Sequence, residues 1–193
     1  MQNLVYCHGF LSSPASFKCQ LLKRYCADTL PALHYLTPDI SPHPQIAADT
    51  LSALVEPLLD RGEAVGLVGS SMGGFWCTWL AERYGLRAVL INPAVHPARR
   101  MAAYLGQPLK GYHDEREYRL GEADRDTMAA LEPKLPLRGT YWLLAQTGDE
   151  VLDYREAEAF YAGQRADIEP GGDHGFQGFE RFCGEITRFL FAE

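Results

Sequence analysis

Residues 64–76 carry the signals of a buried strand, a tight turn and a helix in immediate succession, and this stretch constrains the fold more than any other. Their sequence is AVGLVGSSMGGFW, an apolar run that breaks at small residues and then resumes. Residues 64–68 suit a strand that is buried on both faces. The apolar residues from Phe75 to Leu80 recur at helical intervals. The pattern therefore predicts a strand that leads directly into a helix, as in an α/β fold.

The turn within this stretch, residues 69–73, fits the pattern G-x-S-x-G. In hydrolases with this pattern, a strained turn presents a serine between a strand and a helix, and small residues on either side leave room for it. Ser71 is therefore a candidate nucleophile. The alternative interpretation is an ordinary small-residue turn without a chemical role.

Composition narrows the classes of function. The chain of 193 residues is long enough to bury one core. Its formal net charge of −7 argues against a protein that binds nucleic acids or anionic membranes in general, because such partners would repel it. The five cysteines include no C-x-x-C pair and no zinc-like spacing, so we expect free thiols, no metal and no cofactor. The amino terminus enters an apolar strand at once, and no apolar run approaches about 18 residues, which predicts a cytoplasmic protein without a membrane span.

A loop near the amino terminus is a candidate oxyanion site. Residues 4–7 predict a strand, and the chain continues with His8-Gly9. In serine hydrolases, a loop at this place offers a backbone N–H that acts with the N–H of the residue after the nucleophile, and the pair holds the oxyanion. By position, Phe10 and Met72 would donate these two N–H groups. The alternative is that His8-Gly9 is only a turn, and His8 itself is expected to be structural.

Strands and helices alternate along the rest of the chain. We predict one α/β domain over residues 1–193, with a mainly parallel sheet of about six strands, helices on both faces, and the site at the carboxyl ends of the strands. Besides the strands at 4–7 and 64–68, apolar or β-branched runs predict strands at residues 34–37, 88–91, 140–147 and 166–169, and a final helix over the apolar residues between 179 and 190.

Two helices precede the serine turn. The first is expected to open at Ser13-Pro14 and to place Phe17, Leu22 and Tyr25 on its apolar side. The second covers residues 45–61 by its helical spacing. Proline at position 57 of this second helix predicts a kink or an early end.

Residues 94–136 differ from the alternating pattern, because they mix Pro, Gly, Tyr and charged residues between two predicted strands. We predict a cap-like insertion over the site. Tyr104 and Tyr112, with Leu105 and Tyr118, are expected to line an acyl pocket. The alternative is a solvated excursion without a ligand role. Three basic residues of this segment could contact phosphates of a substrate, but we interpret them as scattered surface cations. They are Arg99, Arg100 and Lys110.

A serine nucleophile needs a general base, and the base needs an acid that orients it. In sheet hydrolases the chain order is serine, acid, histidine, and His174 is the only histidine after Asp149. His174 lies in a glycine-rich loop after the last predicted strand, and Asp149 follows the fifth. We prefer Asp149 as the acid, with Glu150 as its nearest rival. Asp153 is expected to cap the next helix, and Asp173 to serve its local turn.

Five motifs resemble those of the YqiA-type bacterial esterases of the α/β-hydrolase superfamily. The resemblance spans nearly the whole chain, and it implies an esterase of the cytoplasm that acts on short activated esters, with acyl-CoA thioesters as a second class. It also places Ser71, Asp149 and His174 at the catalytic triad positions of that family. The motifs are residues 8–10, 69–74, 92–95, 146–154 and 172–174.

The expected function is that of a serine esterase that hydrolyses short-chain or activated carboxylic esters through an acyl-enzyme on Ser71. We expect substrate contacts from Tyr104, Tyr112 and Phe176. The first alternative is an acyl-CoA thioesterase or acyltransferase that uses the same triad. The second is a hydrolase-fold module that binds a ligand or protein without catalysis. The expected partner is a small-molecule ester or thioester, and the sequence leaves the oligomeric state open.

Overall fold

The computed structural model describes residues 1–112 and 116–191. Its strands are β1 (Gln2–Cys7), β2 (Leu33–Leu36), β3 (Ala64–Ser70), β4 (Arg87–Ile91), β5 (Leu109–Lys110), β6 (Glu117–Tyr118), β7 (Thr140–Gln146) and β8 (Arg165–Glu169). Its α-helices are α1 (Phe17–Thr29), α2 (Pro44–Asp60), α3 (Met72–Tyr84), α4 (Pro97–Met101), α5 (Glu122–Leu131), α6 (Tyr154–Phe160) and α7 (Cys183–Phe191). Short 3₁₀ turns cover Ala102–Tyr104 and Phe179–Phe182.

Six strands form one sheet in the order β2-β1-β3-β4-β7-β8, and every neighbouring pair is parallel. Side chains that alternate along each strand enter two separate apolar layers, as on β3, where Leu67 faces one layer and Val68 the other. Helices α2, α3 and α6 cover the first layer, and α1 and α7 cover the second. This arrangement confirms the predicted fold class, because only strands that are apolar on both sides tolerate helices on both faces.

The parallel sheet brings the carboxyl ends of its strands to one edge. The loops after β1, β3, β4, β7 and β8 therefore begin at the same edge, and these are the loops that contain the candidate site residues.

The first helix begins later than the sequence predicts. The hydroxyl of Ser13 accepts the N–H of Ala15 at 3.1 Å, which makes a local turn, and α1 starts at Phe17. The buried face of α1 consists of Cys19, Leu22 and Cys26, and it includes Leu22 as predicted. The side chain of Phe17 is 70 % exposed, so the prediction that it belongs to the apolar side is wrong.

Pro57 does not end the second helix, because α2 continues through it to Asp60. Pro57 lies on the exposed side of the helix. Water at that side can bond the backbone carbonyl that loses its helical partner, so the proline costs less there than in the core.

Residues 94–136 contain α4, one 3₁₀ turn, α5 and the two-stranded antiparallel pair β5–β6. The sequence did not predict this pair, since each of the two strands is only two residues long. Residues 113–115 of the segment lie outside the described residues.

Candidate active site

Ser71 occupies the turn between β3 and α3 with a φ of 58°, a left-handed backbone conformation that is costly for any residue except glycine. Two hydrogen bonds, one to the last residue of β4 and one to the loop after it, hold this conformation. The N–H of Ser71 donates to the carbonyl of Ile91 at 3.0 Å, and the carbonyl of Ser71 accepts the N–H of Ala94 at 3.0 Å. The strained turn is therefore fixed by the neighbouring strand, which is the condition under which such strain persists.

Glycines make this turn sterically feasible. A Cβ at Gly73 would collide with the backbone carbonyl of Cys7, and a Cβ at Gly69 would collide with the carbonyl of Gly73. At Gly74, a Cβ would come within 2.5 Å of the Pro93 ring. The small residues that suggested the turn in the sequence are thus required by close backbone approach.

His174 lies within hydrogen-bond distance of Ser71. Its Nε2 is 3.0 Å from Ser71 Oγ, although the two residues are 103 positions apart in the chain. The imidazole is 24 % exposed, so one edge of the ring reaches solvent while the other is covered.

Asp149 contacts the other nitrogen of the same ring. Its Oδ2 is 2.8 Å and its Oδ1 is 3.0 Å from His174 Nδ1, and its side chain is 2 % exposed. Oδ1 also accepts the backbone N–H groups of Val151 at 2.8 Å and Leu152 at 2.9 Å. Burial raises the pKa of this carboxyl, but the hydrogen bonds from His174 and the two N–H groups outweigh burial and leave the pKa below its ordinary value.

The other three carboxylates near this loop contact different partners. Glu150 Oε2 accepts the backbone N–H of His174 at 3.0 Å, and Asp153 Oδ1 caps α6 by accepting the N–H of Arg155 at 3.0 Å. Asp173 Oδ2 accepts a hydrogen bond from Gln177 Nε2 at 2.9 Å. Among the described carboxylates, only Asp149 bonds the ring of His174.

Two buried amides that sequence reasoning missed hold the loop of His174. The Oδ1 of Asn92 accepts the N–H of Gln146 at 2.9 Å, and its Nδ2 donates to the carbonyl of Asp173 at 3.0 Å. The Oε1 of Gln146 accepts the N–H of Gln177 at 2.9 Å, and its Nε2 donates to the carbonyl of Gln177 at 2.9 Å. The ends of β4 and β7 are thereby bonded to both sides of His174.

The loop after β1 lies beside the serine. A Cβ built on Gly9 would be 3.5 Å from Ser71 Cβ. His8 is 1 % exposed and its Nε2 accepts the N–H of Ile40 at 3.0 Å, so its Nδ1 carries the proton and donates to the carbonyl of Gly9 at 2.9 Å. These contacts place His8 in the framework of the loop, away from the serine hydroxyl.

The two backbone N–H groups expected at the oxyanion site belong to Phe10 and Met72. Met72 is the first residue of α3, where an N–H has no partner within its own helix. Within the described residues, neither N–H donates to a backbone or side-chain acceptor. Both groups are therefore free to bond a ligand, and both residues line the cavity in front of Ser71.

A cavity of about 600 Å³ opens in front of Ser71 and His174. Tyr104 and Tyr112 line it, as the sequence analysis expected for a pocket. The ring centroid of Tyr104 is 5.5 Å from that of Phe10, so the 94–136 segment meets the loop after β1 at the cavity wall. The N–H of Tyr112 donates to the carbonyl of Leu11 at 2.8 Å and joins the same two parts of the chain.

Three other residues of the expected pocket lie elsewhere. Leu105 and Tyr118 pack against the apolar layer and do not line this cavity. Phe176 is 3 % exposed, has a φ of 60° and packs against Phe179 and Phe182, with ring centroids 6.5 Å and 5.7 Å away. The left-handed backbone turns the ring into the core, so the expected substrate contact of Phe176 is not retained.

Within residues 1–112 and 116–191, no group of three or more His, Cys, Asp or Glu side chains is placed to hold a metal ion. Across the same ranges, every helix is too short or too polar to traverse a bilayer.

Solved structures share this architecture. Est1E from Butyrivibrio proteoclasticus, solved with ferulic acid bound, superposes with a TM-score of 0.76 over 98 % of this chain and 88 % of that one, at 14 % identity. The esterase Pf2001 from Pyrococcus furiosus superposes with a TM-score of 0.67 over 98 % of this chain and 82 % of that one, also at 14 % identity. At such identities the likeness shows the α/β-hydrolase fold alone.

Sequence comparison reaches nearer relatives. A UPF0227 protein of Vibrio parahaemolyticus is 27 % identical over 108 residues, which span 54 % of this chain and 58 % of that relative's length. The model of the Uncharacterised protein family (UPF0227) matches residues 3–191, nearly the whole chain. On this match, the chain is a member of the UPF0227 family.

Proposed function

We propose that this protein is a serine esterase that hydrolyses short-chain or activated carboxylic esters through an acyl-enzyme on Ser71. The observation that carries the proposal is the alignment of three side chains: His174 Nε2 is 3.0 Å from Ser71 Oγ, and Asp149 Oδ2 is 2.8 Å from His174 Nδ1. The esterase Pf2001 has the same fold, so this fold can accommodate the proposed class of reaction.

The proposed reaction begins with proton transfer from Ser71 Oγ to His174 Nε2. Asp149 accepts the Nδ1–H of His174, which leaves Nε2 unprotonated and aimed at the serine. As the proton leaves, Oγ attacks the ester carbonyl carbon. The Asp149 carboxylate stabilises the imidazolium that forms, and its low pKa keeps it charged.

The carbonyl oxygen becomes an oxyanion in this step, and the N–H groups of Phe10 and Met72 are proposed to bind it. Preorganised donors of this kind stabilise developing charge without reorganisation. When the intermediate collapses, His174 gives its proton to the departing alkoxide and the acyl group stays on Ser71. Water then attacks the acyl-enzyme with His174 as base, which releases the acid and restores the serine.

We propose that residues 94–136 form a cap within a single hydrolase domain. The contacts of Tyr104 with Phe10 and of Tyr112 with Leu11 support this, because they seat the segment against the cavity wall. Tyr104 and Tyr112 are proposed to contact the acyl chain. A cytoplasmic location also stays a proposal, and it is supported by the five cysteines, all of which are buried free thiols.

The proposal is tested by hydrolysis rates of wild type and Ser71→Ala on a panel of oxygen esters, acyl-CoA thioesters and amides of graded chain length. We expect oxygen esters to be hydrolysed, and kcat to fall by about 10⁴-fold or more in Ser71→Ala. Ser52→Ala, a serine on α2 remote from the cavity, is the control and should match the wild type. Preference for thioesters would favour the thioesterase alternative, and a folded wild type with no turnover would favour a binding module.

A further inference from the structure

Two basic side chains line the cavity in front of Ser71, although the chain as a whole has a formal net charge of −7. Lys18 and Arg100 are the lysine and arginine residues that line it, and no aspartate or glutamate is among its described lining residues. The remaining lining is mostly apolar or neutral, so the charge of the half-buried Lys18 is screened less than in water, whereas Arg100 is exposed to solvent. These two lining cations can attract an anion, and the carboxylates whose charges act on Lys18, Asp149 and Asp173, are not among the lining residues.

Lys18 lies next to the reacting groups. Its Nζ donates one hydrogen bond, at 2.8 Å, to the carbonyl of Gly175, the residue after His174. An ammonium has three donors, so this bond leaves two for other acceptors. Burial lowers the pKa of Lys18, while the charges of Asp173 and Asp149 partly oppose that shift. The side chain is thus a partly desolvated cation that an anion would stabilise.

The position of Lys18 in its helix is not explained by helix stability. It is the second residue of α1, where the positive end of the helix dipole disfavours a cation. Within the described chain, no carboxylate forms an ion pair with it. A role in the cavity accounts for a lysine at this position.

Arg100 lies on α4, in the segment that we propose as a cap. One of its donors, Nη1, is bonded to the carbonyl of Val151 at 2.8 Å, and Val151 lines the same cavity. This bond anchors the guanidinium at the cavity rim and leaves further N–H donors, which suit a planar carboxylate. The sequence analysis treated Arg100 as a scattered surface cation, and the structure instead places it at the cavity.

We propose that the natural ester carries an anionic group, such as a carboxylate, at a distance from the bond that is cleaved, and that Lys18 and Arg100 bind it. This inference rests on the esterase function proposed above. It names the substrate class as esters with an acidic substituent. Its rival is a purely structural role, in which Lys18 only tethers the loop of His174.

The test uses two pairs of matched esters, because the charge can lie on either side of the cleaved bond. The first pair is 4-nitrophenyl hexanoate and mono-4-nitrophenyl adipate, which differ by a terminal carboxylate on the acyl chain. The second is 2-nitrophenyl hexanoate and the hexanoate ester of 3-hydroxy-4-nitrobenzoic acid, which differ by a carboxylate on the leaving group. The readout is the ratio of kcat/KM for the charged ester to kcat/KM for its neutral match.

We expect Lys18→Met and Arg100→Gln each to lower this ratio by about tenfold in at least one pair, the size of a hydrogen bond to a charged group. Lys18→Arg keeps the charge and should retain most of the ratio. Lys23→Met, at an exposed position of α1, and Arg99→Gln, at an exposed position of α4, remove the same charges elsewhere and should leave it unchanged. In the wild type, added salt should lower the ratio by screening.

The inference is overturned if neither Lys18→Met nor Arg100→Gln changes the ratio in either pair. It is also overturned if Lys18→Met slows charged and neutral esters equally, since that is the result of a tether alone. If Lys18→Met does not fold by circular dichroism, Arg100→Gln decides. If the wild type hydrolyses all four esters and the variants leave the ratios unchanged, only this inference is overturned. If the wild type hydrolyses none of them, the esterase proposal is overturned and this inference with it.

Discussion

The Oδ1 of Asn92 accepts the backbone N–H of Gln146 at 2.9 Å, so the residue after β4 is bonded to the last residue of β7. The other end of the same amide donates to the carbonyl of Asp173, immediately before His174. Asn92 is 3 % exposed and has a φ of 41°, a conformation that asparagine tolerates better than most residues. The position of the imidazole therefore depends on a side chain that bonds the backbone of its loop and not the ring.

Replacing Asn92 with aspartate tests this dependence. The second carboxylate oxygen would face the carbonyl of Asp173 where the amide now donates, so we expect a loss of about 1–3 kcal/mol of unfolding free energy. Displacement of the His174 loop should also lower kcat by roughly tenfold or more, in line with the sensitivity of catalysis to small misplacements. Urea unfolding and steady-state kinetics measure the two effects. A destabilised variant with the kcat of the wild type would show that Asn92 is only a structural residue.

The proposed acid is tested by a comparison of four carboxylates. Asp149→Asn should lower kcat by up to about 10⁴-fold, because the imidazole loses its orienting partner. Asp153→Ala should keep kcat and lose about 1 kcal/mol of stability, because Asp153 caps α6. Glu150→Gln and Asp173→Asn complete the set. Collapse of kcat in one of these three, with near-normal turnover in Asp149→Asn, would move the acid to another residue.

The low pKa of Asp149 predicts how stability changes with pH. Above the ordinary value of 3.8 the carboxylate is charged in both the folded and unfolded states, and its hydrogen bonds stabilise the fold in full. As pH falls through 3.8 toward the lower folded pKa, the unfolded state binds a proton first and this stabilisation is lost.

We therefore expect the difference in unfolding free energy between wild type and Asp149→Asn to shrink as pH falls from 5 to 3. Urea unfolding at several pH values in that window measures it. Asp28→Asn, an exposed position on α1, is the control and should follow the wild type. A difference that stays constant or grows toward pH 3 would contradict the direction of the pKa shift.

The tyrosines of the proposed cap are expected to set acyl-chain preference. Tyr104→Ala and Tyr112→Ala each enlarge the cavity. The ratio of kcat/KM for long esters to kcat/KM for short esters should therefore rise, by up to about 10-fold, the effect of one methylene contact in an apolar pocket. Leu135→Ala, an exposed apolar side chain of the same segment that does not line this cavity, is the matched control. If neither tyrosine variant nor the double variant alters the ratio, the acyl chain lies elsewhere.

The strand–turn–helix at Ser71 was predictable because its signal is local. The collisions at Gly69 and Gly73 involve backbone atoms of the turn and of the adjacent strand end, and they demand small residues at fixed offsets from the serine. The parallel sheet followed from apolar runs of strand length. His174 and Asp149 could be proposed because the order of elements in a parallel sheet brings their loops to the same edge.

The contacts that were not predicted are long-range or depend on backbone rotation. Asn92 and Gln146 bond partners in a different loop, and no spacing rule marks such pairs. Phe176 enters the core only because its φ is positive. Lys18 lines the cavity and bonds the carbonyl of Gly175, which is 157 residues away in the chain.

The central claim is that Ser71 carries the acyl group, and covalent labelling tests it most directly. Native protein is treated with a fluorophosphonate, digested and analysed by mass spectrometry, alongside Ser71→Ala and His174→Ala. We predict one label, on Ser71, with none in Ser71→Ala and much slower labelling in His174→Ala, because the hydroxyl needs its base to react. A label on any other residue, or a folded wild type that takes up none, would contradict the account.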